Sequence, residues 1–156
     1  MRVMARRELL CSGALFCISI GPSFAQAPAS GNAVWAVTSA EAGLPPSAES
    51  TAARSISRGP AIRQISPTTI VAANQPFPLK VEFAGRGGEK INPQSVQITL
   101  LRGNNINITQ RLLPYLSANG LDIPNALVPP GNFVLQVTVR DTGGREGLAN
   151  IEIAAR

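Results

Sequence analysis

Glu82, Glu89, Asp122, Asp141, Glu146 and Glu152 are the carboxylates with chemistry to offer in the C-terminal two thirds of this chain. Two acids facing each other across a cleft would hydrolyse a glycosidic bond, but the surrounding pattern puts most of these on strand faces or in turns. Asp141 and Glu146, joined by Asp122, could ligate calcium. The plainer role for Asp141 is a turn aspartate that bonds its own backbone. Gly85-Arg86-Gly87-Gly88 could cradle an anion through backbone amides and the Arg86 guanidinium. No lysine-serine or lysine-threonine pair follows it, so it is no P-loop and reads as a mobile interstrand loop. Trp35 and Tyr115 are the rings left to stack on a sugar, because Phe77, Phe83 and Phe133 fall on inward strand positions.

The missing residue types narrow the chemistry further. The chain has no histidine, and its two cysteines and two methionines all lie within the first 17 residues. That N-terminal stretch reads as a secretory signal over residues 1–25. Arg2, Arg6 and Arg7 form a basic start, Leu9 to Ile20 an apolar core, and small residues at Ser23 and Ala25 set cleavage before Gln26. The apolar core is too short to span a bilayer, which takes roughly 20 residues, so no stable membrane span is expected after cleavage. Arg6-Arg7-Glu8-Leu9-Leu10 resembles a twin-arginine signal, although the general secretory route accounts for it more simply. The mature chain would then hold no thiolate, thioether or imidazole. Metal and haem sites and Ser-His or Cys-His nucleophiles lose their usual groups, and no metal or cofactor is expected. Removing Arg2, Arg6, Arg7 and Glu8 takes the net charge from +5 to +3. The remaining basic residues are scattered and not interleaved with aromatics, unlike a nucleic-acid stripe.

These side chains need elements to position them. Residues 26–60 are rich in alanine, serine, proline and glycine and read as a flexible linker. Ala33-Val34-Trp35-Ala36-Val37 interrupts it, either as an apolar accident in a flexible tail or as a strand added to this domain or a partner. From residue 61 the pattern changes. Ile62, Ile65 and Thr68 to Val71 suggest an edge strand broken by Pro67. Phe77, Leu79, Val81 and Phe83 alternate with polar neighbours, as do Val96, Ile98 and Leu100. Thr109 is an acceptable N-cap for a single helical turn ahead of Tyr115, limited by Pro114. Leu121, Ile123 and Leu127 mark another strand. Phe133, Leu135, Val137 and Val139 lead through Asp141 to Gly147 into Ala149, Ile151 and Ile153, a closing hairpin. On its outer side Val134 and Leu148 could be neighbours in an apolar patch, or could lie beneath a loop or the linker.

The turn Pro129-Pro130-Gly131-Asn132, the strand Phe133 to Arg140 and the turn Asp141-Thr142-Gly143-Gly144 resemble the end of an immunoglobulin-like domain. Bacterial immunoglobulin-like, fibronectin type III-like and cadherin-like modules share this arrangement. The resemblance extends over residues 61–156 and implies an all-β, immunoglobulin-like antiparallel sandwich of about seven strands. The chain departs from antibody-type domains in lacking the cysteine pair, the core tryptophan and the corner tyrosine. A fold of this kind carries no function by itself. The sequence points to a periplasmic or secreted, non-catalytic binding or structural accessory module whose partner is another envelope or secreted protein. Its competitors are a carbohydrate-binding module built around Tyr115 and a carboxylate-based hydrolase. Candidate contact residues are Trp35, Arg86, Tyr115, Val134 and Leu148.

Overall fold

A computed structural model describes residues 32–47 and 59–156. The expected signal at 1–25 lies outside the described residues, as do residues 26–31 and 48–58 of the expected linker. No helix among the described residues is long and apolar enough to cross a membrane.

Two sheets face each other across one core. The first contains β1 (Val34–Trp35), β2 (Ala61–Ser66), β3 (Phe77–Ala84), β6 (Leu116–Ser117) and β7 (Gly120–Leu127), in the order β1-β7-β3-β2 with β6 also on β7. The second runs β5 (Ile106–Asn107), β4 (Gln97–Leu100), β8 (Gly131–Arg140), β9 (Glu146–Ala155). Two short helices, α1 (Ser39–Ala42) and α2 (Thr109–Leu112), lie outside the sheets. An all-β two-sheet architecture is therefore what the alternation produces. Every one of the inward apolar positions read from the four clearest strands is buried except Ala149, which is half-buried.

Strict period-two alternation works here because each sheet buries one face and leaves the other wet. β3 shows it without a break, its side chains alternating buried and exposed from Phe77 to Ala84. The β8–β9 hairpin is in register over its whole length, from Gly131 opposite Ala155 to Arg140 opposite Glu146. Gly120 is where β7 passes closest to β3. A Cβ there would stand 2.0 Å from the Val81 carbonyl oxygen, and φ is +146°, so only glycine fits.

Stretches of the β2, β9 and β4 edges are covered. Gln64 on β2 reaches across to β9, donating to the Glu152 carbonyl at 3.0 Å and accepting from its amide at 3.3 Å. Beyond β2 the chain crosses from one sheet to the other. Val71 and Ala73 then continue along β9, with Val71 N donating to Ala154 O at 2.9 Å and Arg156 N to Val71 O at 3.1 Å. The run Thr68 to Val71, expected as a strand, supplies only this short parallel contact, and Ile70 is left 56% exposed. On the opposite edge the Thr109 hydroxyl stands in for a strand: it accepts from Ile98 N at 2.7 Å and donates to Ile98 O at 3.3 Å. Thr109 was expected to cap the following helical turn. Its hydroxyl is instead committed to β4, and the helix starts without a side-chain cap. Covered edges deny a second chain an open ladder.

The largest departure from the sequence reading is at the N-terminal side. Residues 32–47 fall in the stretch expected as flexible linker, yet they form a strap packed on the sandwich. Ala36 and Val37 are fully buried in the core. β1 pairs in parallel with the end of β7, Val34 opposite Ala126 and Trp35 opposite Leu127. The strap also reaches the second sheet, where Gly103 N donates to Pro45 O at 2.9 Å and Ser47 N to Leu101 O at 3.2 Å. Its composition is that of a linker because only Ala36 and Val37 are fully buried, with Val34 and Ala42 packed against the core at its margin. The rest of its hold on the sandwich comes from backbone groups, two arginines and one glutamate.

Candidate functional site

The acidic residues are spread over the molecule and tied to structural partners. Asp141 has a fully buried side chain. It accepts from Arg145 N at 2.8 Å and Arg145 Nε at 3.1 Å, which closes the β8–β9 turn. This is the turn-forming role read from the sequence. Glu146 faces the other way and pairs with Arg140 at 2.8 Å, while Asp122 pairs with Lys80 at 3.6 Å in the first sheet. Glu89 accepts from the Thr142 hydroxyl. Among the described residues no three potential ligands gather to hold a metal ion.

Glu82 and Asp122 do share one shallow depression, floored by the β3–β7 contact and rimmed by Lys80, Ser117 and Asn119. Two acids in one depression are what a hydrolase reading requires. A general acid, however, needs burial to raise its pKa. The Asp122 side chain is 66% exposed and pairs with Lys80, so it lacks that burial.

The strap end of the molecule is built differently. Thr38 and Glu41 form a reciprocal capping box at the start of α1, with Thr38 N donating to Glu41 Oε2 at 2.8 Å and Glu41 N to Thr38 Oγ1 at 3.3 Å. Arg111 on α2 then grips the same carboxylate with two bonds, at 2.7 and 3.0 Å, and leans on the Trp35 and Ala36 carbonyls at 3.4 and 3.3 Å. The Arg111 hydrogen bond is the main cause that lowers the Glu41 carboxyl from 4.5 to about 2, outweighing the burial that opposes it. The same bond pushes the Arg111 guanidinium up. Arg102 holds the other end of the strap. It donates to the Ala42, Leu44 and Asn132 carbonyls, each at 2.7 Å, and its guanidinium lies 4.8 Å from the centre of the Phe133 ring.

Among the described residues, four large apolar side chains are exposed: Trp35, Leu44, Leu113 and Ile70. Three of these belong to the strap or to the turn that follows Arg111. Trp35 and Leu44 are in the strap, and Leu113 begins the 3-10 turn after α2.

The sequence-derived candidates divide accordingly. Trp35 sits at 39% exposure beside Leu127, and its strand is added to its own domain. Tyr115 is partly buried and packed against the core. It packs inward because Pro114 and the 3-10 turn fold it back beneath β6 and β7. Arg86 is exposed in its loop, and its carbonyl accepts from Arg145 Nη2 at 3.2 Å. Val134 and Leu148 share the outer face of the second sheet but are not neighbours. Val134 stands opposite Glu152 and Leu148 opposite Thr138, two rows apart. Leu101, next after β4, is buried where the strap crosses it. Sequence reasoning missed Glu41, Arg102 and Arg111. Thr38 followed three residues later by Glu41 was the available signal for the first of them.

No family model matches this chain, and neither a curated protein nor a solved structure matches it.

Proposed function

We propose that this protein is an exported, non-catalytic binding or structural accessory module of the bacterial cell envelope, acting through contact with another protein at its strap end. The observation that carries the reading is that three of the exposed large apolar side chains, Trp35, Leu44 and Leu113, belong to the strap or to the turn that follows Arg111, the residue that clamps Glu41. Protein contact surfaces favour aromatic and large apolar anchors held on a rigid base, and the clamp with its capping box supplies that base. The ionisable groups point the same way, since they are engaged in turns, clamps and exposed pairs instead of converging on a reaction centre. Export rests on the residue 1–25 signal pattern, and envelope residence follows from it.

An immunoglobulin-like reading of the sandwich is supported by strand order. With β2, β3 and β7 as A, B and E, and β4, β8 and β9 as C, F and G, the two sheets take the A-B-E and C-F-G arrangement of that fold.

In-cell crosslinking followed by mass spectrometry tests the function. Reproducible capture of one envelope protein, with crosslinks mapping to the strap end, is the expected result. Capture of no protein in cells where the domain is retained on cell-wall polysaccharide would overturn it.

A further inference from the structure

The outer faces of the two sheets differ in kind. On the first, charges alternate across the strands: Arg63 stands opposite Glu82, and Lys80 opposite Asp122 with an ion pair between them. That is the ordinary make-up of a solvated sheet face. On the second, the two central rows carry no charge. Thr99, Gln136 and Asn150 form one row across β4, β8 and β9, and Gln97, Thr138 and Leu148 form the next. Charge appears only at the ends of the face, as the Arg140–Glu146 pair and as Glu152. Loss of charge from the centre of a surface marks a contact region.

The side chains here also have hydrogen-bonding capacity that the protein leaves unused. The amides of Gln97 and Gln136 and the hydroxyls of Thr99 and Thr138 bond to no other described residue, while Asn150 Oδ1 is shielded and receives no donor. A depression of about 470 Å³ runs over Gln97, Gln136 and Thr138 and ends at Arg140, Glu146 and Leu148.

We infer that this face of the second sheet binds a neutral polysaccharide. Each glutamine amide both donates and accepts, as does each threonine hydroxyl. Such a set matches the hydroxyls of a sugar, which do the same. The half-buried Leu148 gives the C–H face of a sugar ring an apolar seat beside them. A protein partner would call for a buried aromatic or arginine anchor, and the centre of this face has none. An anionic polymer would meet one cation in the depression, Arg140, which is already paired with Glu146, and would face Glu152 at the far end of the sheet. The site is separate from the strap end and does not rest on the function proposed for it.

Titration of the isotope-labelled full chain with cello- and chito-oligosaccharides, read by NMR, tests the assignment. Saturable shifts at Gln97, Gln136 and Thr138 with at least one neutral oligosaccharide, and none with oligogalacturonate, are expected. Gln136→Ala and Gln97→Ala should each weaken that affinity about three- to tenfold while leaving the spectrum dispersed. Gln136→Glu, which keeps the size but adds charge, should weaken it at least as much. The assignment is overturned if neither neutral oligosaccharide shifts this face, or if shifts map to Trp35 or Tyr115. Oligogalacturonate binding as well as the neutral sugars would overturn it too, as would the discovery that a protein partner occupies the face.

Discussion

Arg111 and Glu41 are 70 positions apart in sequence, yet the guanidinium holds both carboxylate oxygens, at 2.7 and 3.0 Å. Their side chains retain only 32% and 13% of their exposure. Through this pair, α2 in the body of the sandwich fixes the strap that carries Trp35. A half-buried bidentate pair is worth more than an exposed one, because removing one partner strands the other charge in a poorly solvated place.

Arg111→Ala should therefore destabilise the fold by about 1–3 kcal/mol, against under ~1 kcal/mol for Arg140→Ala, whose partner Glu146 is much more exposed. Urea unfolding of the two variants beside the parent makes the comparison. Equal effects would contradict the clamp.

The same pair sets a pH dependence. The Glu41 carboxyl is depressed in the folded state from 4.5 to about 2, so its contribution is fully present above about pH 4.5. It is lost as the pH falls toward 2. Thermal melts from neutral pH down to about 2 should show Glu41→Gln already destabilised at neutral pH. Its melting temperature should then fall less than that of the parent as acid is added.

Val37 separates an integral strap from a flexible linker. It is fully buried, so Val37→Asp puts an unpaired charge in the core and should cost on the order of 3–5 kcal/mol. In a flexible tail the same change would be silent. The unfolding midpoint decides between them.

Thr109→Val keeps the shape of the side chain but removes the acceptor of the Ile98 amide, while the Ile98 carbonyl keeps its bond from Ile108 N at 2.9 Å. A loss of about 1–3 kcal/mol is expected, together with faster amide exchange at Ile98. Unchanged exchange there would mean that the hydroxyl is not needed to cover the β4 edge.

The strands that bury a full face were legible in the sequence. Phe77 to Phe83 and Phe133 to Val139 alternate without interruption, and burial follows them residue by residue. Register was not legible. Val134 and Leu148 have the right parity to share a face, but their separation depends on how many residues the β8–β9 turn takes up. The strap was hidden for a different reason. Parallel pairing of two residues, backbone bonds at Pro45 and Ser47, and arginines donating to carbonyls leave almost no trace in hydropathy. The partial burial of Tyr115 was not legible either, because a lone ring next to Pro114 gives no sign of the 3-10 turn that packs it against the core.

Under the proposed function, a protein partner contacts the strap end. The most direct measurement places a photoreactive residue at Leu113 and, separately, at Lys80 on the outer face of the first sheet, with irradiation in the cells that export the protein. The account predicts one adduct of defined mass from Leu113, lost on Leu44→Asp, and none from Lys80. No adduct from Leu113, or the same adduct from both positions, would contradict it.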